Sequence, residues 1–451
     1  MRKLFYKRGS LIHTEQPFVS VLQSRYRDER CDACFKHEKV LKCSNCLYTR
    51  YCNRLCQKEA WLEHQDECSK LKKIAPRSVP DAALLMSRII RKLHKGGDFQ
   101  KGYYTTKYYR RFGDLMTHEN DIKEDEKRME HFRSLHVVLR SLVDETIMPS
   151  NVELLQIFGK ICINSFNILD DEMNSIGTGI YLGASVMDHS CRPNAVASFD
   201  GTTIHVRLLE DYDNNTGGEM DISKVFISYI DLMDPTDVRR GRLCSQYYFE
   251  CNCQRCGDEQ ELSLMNAGAC PNRNCDEPIT MEGCNKLVEK CPRCEVSIKH
   301  SVREKFREIS SLTMSQLADM KDIAYLDVCQ LCLKKQENIL HYYNVWHLKT
   351  LDHAFESAIK MKKWSEAINY GLRLVKGFKK YNGPFHPLYG LLLLKIGKIQ
   401  LFVKQVEQAL KNINESEKII RVTHGEQHDL YKKQLVPLLC QAADEFNAME
   451  K

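Results

Sequence analysis

The spacing of cysteines near the start of this chain constrains its fold more than any other feature. Cys31-x2-Cys34, Cys43-x2-Cys46, Cys52-x3-Cys56 and His64-x3-Cys68 supply eight candidate ligands in four local pairs. A Cys-x2-Cys knuckle holds two thiolates on one turn at the separation that a zinc ion bound at ~2.3 Å requires, and four ligands close a structural site with no open position. Free thiols in an apolar core are the bland alternative. The intervening residues, mostly Lys, Asp, Glu, Asn and Arg, could not form that core. Residues 31–68 are therefore expected to fold around two zinc ions, each contributing on the order of 10 kcal/mol or more.

Composition favours metal over disulfides. No window approaches the ~18 apolar residues of a membrane span, and Met1 to Arg8 lacks the apolar stretch of a secretory signal. A soluble intracellular protein is expected, where clustered thiols bind metal by default. The 21 cysteines concentrate in the first two thirds of the 451 residues, and the length suggests about three domains. The 66 Lys+Arg against 60 Asp+Glu leave a net +6 spread over a large surface, so neither direct DNA binding as a dominant activity nor a membrane surface is demanded.

Hydrophobic patterning organises the rest. Around Leu11, Ile12, Phe18, Val19 and Val21 it predicts one or two short strands, joined at Glu15-Gln16-Pro17. Apolar spacings of three and four predict helices over Asp81 to Lys95, Glu130 to Val143 and Asn151 to Phe166, with a long irregular or weakly helical connection at 96–129. From Ile176 to Ile230, Gly punctuation and runs such as Ile204-His-Val-Arg-Leu-Leu predict a sheet region. Beyond residue 300 the period is helical, with breaks at Asn382-Gly-Pro and His424-Gly. Antiparallel helices are predicted at 344–361, 364–379, 386–403, 406–421 and 428–448. Cys329-x2-Cys332 lies on one helical face and reads as core packing.

The ligand pairs, with Tyr51-Cys52, Cys56-Gln57-Lys58-Glu59-Ala60-Trp61 and His64-x3-Cys68, resemble the MYND zinc finger. That resemblance implies interleaved sites, with Cys31, Cys34, Cys52 and Cys56 on one zinc and Cys43, Cys46, His64 and Cys68 on the other. It also implies a groove for proline-containing peptides at the Gln57 and Trp61 positions. Plain packing against the finger's last helix is an equal reading of Trp61, because an aromatic shelf must also be exposed.

A second constellation runs through Asn164-Ser-Phe166, Gly177-Thr-Gly-Ile-Tyr181, Ser185-Val-Met-Asp188-His189-Ser190-Cys191-Arg-Pro193-Asn194 and Phe226-Ile-Ser-Tyr229-Ile-Asp231. It ends at Gln246-Tyr247-Tyr248-Phe249-Glu250-Cys251-Asn-Cys253-x2-Cys256. This order resembles the SET domain and its cysteine-rich tail, and the whole chain resembles the SET and MYND domain (SMYD-type) protein lysine methyltransferases. The resemblance implies an α+β multidomain fold. Its parts would be N-terminal SET strands at 1–30, the MYND finger at 31–68, a helical insertion at 69–175, core SET at 176–240, a post-SET segment with a possible zinc ribbon at 241–300, and an all-α TPR-like domain at 301–451.

The chemistry explains the residue types. Methyl transfer from S-adenosyl-L-methionine to lysine needs a neutral amine, whereas a free lysine with a pKa near 10.4 is almost all ammonium at pH 7. A narrow aromatic channel and a nearby sulfonium both disfavour the ammonium, and tyrosine hydroxyls can align the lone pair with the C–S bond. By resemblance Tyr229 is the catalytic tyrosine and Tyr247 its channel partner, while ordinary core tyrosines are the alternative. The cofactor would meet Asn164, Ser185, Asp188, His189, Tyr229 and Phe249, with Phe249 stacking on the purine. Cys191, Cys251, Cys253 and Cys256 would hold a third zinc.

Two features depart from the family pattern. No Gly-x-Gly turn precedes Arg8-Gly-Ser-Leu-Ile, so that roughly 20 residues of the family's opening strand and turn are expected to be missing. Asp188 stands where the family has asparagine; a carboxylate only accepts, so weaker cofactor binding is expected. Cys270-x4-Cys275 and Cys291-x2-Cys294 have the spacing of a zinc ribbon and form a candidate fourth site, with Cys284 as unpaired competitor.

The expected function is methylation of histone or other protein lysines by a monomer in nucleus and cytoplasm. The alternative is a catalytically weak or inactive scaffold that recruits proline-containing partners in transcriptional regulation.

Overall fold

The structure is a computed structural model describing residues 4–214, 220–282, 288–320 and 325–449, so Cys284 lies outside the described residues. Two units divide the chain, and each contains two cysteine clusters. The first comprises 1–189, 193–227 and 243–249; the second comprises 190–192, 228–242 and 250–451.

In the first unit, three strands precede the finger where one or two were expected: Leu4–Tyr6, Leu11–Glu15 and Val19–Leu22. Pro17 lies between the second and third, where no ladder N–H is needed. Leu11–Glu15 pairs antiparallel with Thr203–Leu208, which pairs with Ala195–Asp200. Val19–Leu22 and Ser165–Leu169 flank Ser175–Ile180. A short parallel pairing sets Asp188 opposite Phe226 and His189 opposite Ile227.

The helices of this unit are Arg54–Ile74, Asp81–His94, Glu126–Leu142 and Asn151–Asn164, besides the short Glu119–Glu124. Side chains cap three of the starts: Asn53 accepts from the Cys56 N–H, Asp125 from Arg128, and Ser150 closes a capping box with Glu153. The expected helix end at Phe166 is corrected to Asn164, because Ser165 onward joins the sheet. The connection at 96–129 also holds a small hairpin, Gly102–Tyr103 with Tyr109–Arg110. Ala83, Leu84, Ile89, Leu139, Leu142 and Leu154 are almost wholly buried in the core these helices share.

In the second unit, the C-terminal run consists of helices His300–Asp319, Leu326–Gln336, Val345–Lys360, Trp364–Asn382, Pro387–Phe402, Val406–Thr423 and Val436–Met449, with a π-helical turn Leu430–Leu435 before the last. The predicted breaks are glycine turns, Gly383 at φ 94° and Gly425 at φ 83°, a region that strongly favours glycine. Glycine also allows close packing: a Cβ on Gly377 would lie 2.5 Å from Leu348 Cδ1. Cys329 and Cys332 are buried in this region, at 0% and 4% exposure. No helix among the described residues is long and apolar enough to cross a membrane.

Candidate metal centres and cofactor site

Covalent geometry forms the knuckles, and folding then brings distant knuckles together. In the first unit, the ligand atoms of Cys31, Cys34, Cys52 and Cys56 lie within 4.8 Å of one another, as do those of Cys43, Cys46, His64 and Cys68. The antiparallel pair Leu41–Lys42 and Arg50–Tyr51 joins them, and the helix Arg54–Ile74 carries Cys56, His64 and Cys68. In the second unit Cys191, Cys251, Cys253 and Cys256 gather, and so do Cys270, Cys275, Cys291 and Cys294.

The donor sets fit zinc. Thiolates at ~2.3 Å around a tetrahedral ion lie ~3.8 Å apart. The S···S separations are 3.8 Å for Cys34–Cys52, 3.9 Å for Cys43–Cys68, 3.6 Å for Cys191–Cys256 and 3.8 Å for Cys275–Cys291. A disulfide would need ~2.05 Å, and all the described cysteines are free. The thiols titrate as sets: the hydrogen bond between Cys31 and Cys34 moves the first down and the second up.

His64 shows how the finger is tuned. Its Nε2 lies 3.5 Å from Cys46 Sγ, while Nδ1 lies 3.2 Å from Glu67 Oε1. Glu67 is 1% exposed and receives Arg88 on both oxygens, at 2.9 and 2.7 Å. Burial pushes the Glu67 carboxyl up, but the Arg88 guanidinium and His64 outweigh it and hold it at about 2. A carboxylate behind a ligating histidine fixes its tautomer and raises its basicity. Glu67→Gln will therefore weaken zinc at this site by about 10- to 100-fold, read by competition with a chromophoric chelator. An unchanged affinity would refute this role. Sequence reasoning missed Glu67, although its place one helical turn after His64 was a usable signal.

Two buried arginines attend the third cluster. Arg255 donates to the carbonyls of Cys191 (3.0 Å) and Leu232 (2.9 Å) and pairs with Glu261. Arg239, 0% exposed, donates to the Asp234 carbonyl at 2.6 Å and Thr236 Oγ1 at 3.0 Å. Four thiolates around a divalent zinc carry a net charge of about −2, and buried charge requires compensation. At the fourth cluster, Arg303 ties together the carbonyls of Thr280, Met281 and Val288, above a small core of Ile279, Met281 and Phe306.

Of the cofactor candidates, the first unit brings His189, Tyr247 and Phe249 into one aromatic group. The Phe249 ring lies 6.2 Å from His189 and 6.4 Å from Tyr247. Asn164 spends its amide nitrogen on the carbonyls of Met116 and Lys160, both at 2.9 Å. Ser185 donates to the Leu182 carbonyl at 2.7 Å, and Arg110 holds the Ser185 carbonyl at 2.8 Å. Asp188 is exposed on the strand beside Phe226. Tyr229 belongs to the second unit, where it is half-buried just after Phe226–Ile227. Burial raises the Tyr247 hydroxyl, with Arg128 pulling the other way.

The strap carrying Tyr247 and Phe249 is clasped by residues that sequence reasoning overlooked. The helix Thr236–Tyr247 ends at Tyr248, which takes φ 59° and donates its hydroxyl to Asp125 at 3.3 Å. Arg128 donates to the terminal carbonyls of Ser245 and Gln246 at 3.0 and 2.9 Å and lies over the Tyr248 ring. A guanidinium at a helix C-terminus satisfies orphan carbonyls and opposes the dipole. In the finger, Gln57 is half-buried and Trp61 is 43% exposed, its ring 5.9 Å from His64. A cavity of about 610 Å³ lies in the first unit between the finger helix and the strands, lined by Asp32, Glu63, Glu67 and Arg88 among others.

Residues 31–68 match the family model of the MYND finger. Across most of its length the chain is similar to the histone-lysine N-methyltransferase SMYD3 of Mus musculus, 31% identical over 94% of this chain and 90% of the relative. It is 27% identical to the histone-lysine N-methyltransferase ASHR1 of Arabidopsis thaliana over 93% of this chain and 88% of that protein. The N-lysine methyltransferase SMYD2 of Homo sapiens is also 27% identical, over 93% of this chain and 90% of the relative.

Proposed function

The chain belongs to the SMYD-type, SET and MYND domain family of protein lysine methyltransferases, and on that premise we propose that it transfers methyl groups to protein lysines. The observation that carries the reading is 31% identity to a histone-lysine N-methyltransferase across 94% of this chain. S-adenosyl-L-methionine, when bound, supplies a methyl group on a positive sulfonium.

In this reading the chain's own residues do the rest. Phe249, flanked by His189 and Tyr247, offers a ring face for the purine. Asn164, its amide nitrogen already engaged, presents its carbonyl oxygen to the cofactor's ammonium. Ser185 shapes the adjacent loop, and Asp188 accepts where an asparagine would both donate and accept. Tyr247 is assigned to the lysine channel, which it keeps dry, and Tyr229 is assigned the orientation of the neutral amine. Zinc at the finger, at the Cys191 cluster and at the Cys270 cluster holds the scaffold. The fold assigned is a SET core split by the finger, with a TPR-like helical tail. The substrates are histone or non-histone lysines, the protein works as a monomer in nucleus and cytoplasm, and the finger engages proline-containing peptides. The 43% exposure of Trp61 supports that last role.

Calorimetric titration with S-adenosyl-L-methionine, followed by transfer of a labelled methyl group to histones and extract proteins, tests the proposal. Saturable binding with lysine-linked label is expected. No heat at millimolar cofactor and no labelled product would leave only the scaffold.

A further inference from the structure

The even spread of positive charge expected from the overall balance is corrected by one basic stretch of the first unit. Between Arg91 and Arg111 fall seven Lys or Arg and one acidic residue, Asp98, a net +6 equal to the excess of the whole chain. Within this stretch Arg91 is buried, while Lys92 and Lys95 pair with Glu63 and Asp66 of the finger helix. The remaining cations, Lys101, Lys107, Arg110 and Arg111, sit on the hairpin Gly102–Tyr103 and Tyr109–Arg110 or beside it.

That hairpin also carries four tyrosines. Tyr103 and Tyr109 face each other across the strands, ring centroids 5.4 Å apart, and Tyr104 and Tyr108 are nearly parallel at 15°. Tyr103 is 50% exposed, Tyr108 64%, and the neighbouring Phe99 75%. Lys101 Nζ lies 4.2 Å from the Tyr109 centroid, and the Arg111 guanidinium lies near the same ring at 5.6 Å. The platform is anchored. A Cβ at Gly102 would lie 2.4 Å from Leu182 Cβ, so the backbone is pressed onto that loop, and Arg110 holds the Ser185 carbonyl at 2.8 Å. Thr105 Oγ1 accepts from Tyr108 N–H at 2.9 Å, closing the turn.

Single exposed aromatics are ordinary, but a fixed shelf of exposed rings interleaved with cations matches one ligand chemistry. Single-stranded nucleic acid offers stackable base faces and a phosphate on every unit. An acidic peptide would use the cations and leave the rings idle. A proline-rich segment would use the rings and ignore the charge. A duplex keeps its base faces stacked inside. We propose that this hairpin binds single-stranded nucleic acid, with Tyr103 and Tyr108 stacking on bases and Lys101 and Lys107 meeting phosphates. The site stands independently of methyl transfer.

Fluorescence anisotropy of the full-length, zinc-loaded protein with a labelled oligothymidylate or oligouridylate of about twelve nucleotides tests it. With two phosphates engaged, affinity will fall about sevenfold between 50 and 200 mM salt. Tyr103→Ala and Tyr108→Ala, both at exposed positions, will each weaken binding about fivefold or more. Lys101→Ala with Lys107→Ala will flatten the salt dependence. Circular dichroism and zinc content identical to the parent confirm that the variants fold. Absence of binding at about 100 µM protein in 50 mM salt, the weak limit of the range expected of such sites even at physiological salt, overturns the proposal. So does undiminished affinity in the tyrosine variants, equal affinity for a duplex of the same length, or equal displacement by polyglutamate or a proline-rich peptide.

Discussion

Zinc stripped by excess chelator will unfold residues 31–68 while the C-terminal helices stay folded. Within 31–68 the buried side chains are largely the ligands themselves: Cys31, Cys43, Cys46 and Cys68 are at 0–2% exposure, and the segment adds only Phe35 and Tyr51 as buried apolar side chains. Its backbone ladder is two residues long on each strand. Without metal, the four ligands of each site gain no bond that repays their burial, and the loss is on the order of 10–16 kcal/mol per structural zinc. The helices from Val345 to Thr423 need no such ion, because Leu348, Phe355, Ile396 and Ile420 fill their core. Hydrogen exchange measures the difference. The amides of Asp32 and Cys43, which donate to Arg50 and Thr49 carbonyls at 2.8 Å, will lose protection in the apo protein. Protection in the 345–423 helices will persist. If the finger amides stay protected after zinc removal, the finger is held by packing and the metal account is wrong.

Tyr229→Phe will lower the rate of methyl transfer by about 10²-fold or more, the scale seen when one oriented hydroxyl donor is removed at a reacting centre. The substitution keeps the ring and deletes only the oxygen. On the proposed roles, cofactor affinity will fall much less than turnover, because Tyr229 is one of six proposed cofactor contacts and the substitution leaves the other five untouched. The signature is therefore a fall in kcat that far exceeds any rise in the dissociation constant for S-adenosyl-L-methionine. Rates of parent and variant will rise with pH as the substrate lysine, with a solution pKa near 10.4, loses its proton. A variant at parental rate would remove Tyr229 from the mechanism, and parallel losses in binding and turnover would make it a cofactor residue instead.

Much of the local structure is legible in the sequence. Glycine breaks at Gly383 and Gly425 and the helical period around Val345–Lys360 are short-range signals that the folded chain keeps. Misreadings arose where a distant partner overrode local pattern. Ser165 and Phe166 read in sequence as the end of a helix but open the strand Ser165–Leu169, because Ser175–Ile180 lies beside it. Residues 96–129 looked irregular because Gly and charged residues interrupt them, yet Tyr103 and Tyr109 meet across a hairpin. Arg128 reads as an ordinary charged helix start. Its grip on Ser245 and Gln246, more than a hundred positions away, exists only in three dimensions.

By itself the sequence determined the metal chemistry of residues 31–68, since a knuckle of two or three intervening residues is set by covalent geometry. Resemblance carried the order of ligands, the cofactor and the reaction. Tertiary structure decided which knuckles share an ion, that Glu67 and Arg88 stand behind His64, that buried arginines face the Cys191 cluster, and that cations and tyrosines form one surface at the hairpin. Such pairings join residues tens to hundreds of positions apart, and no local period reports which distant side chain will supply the opposite charge or the missing ligand.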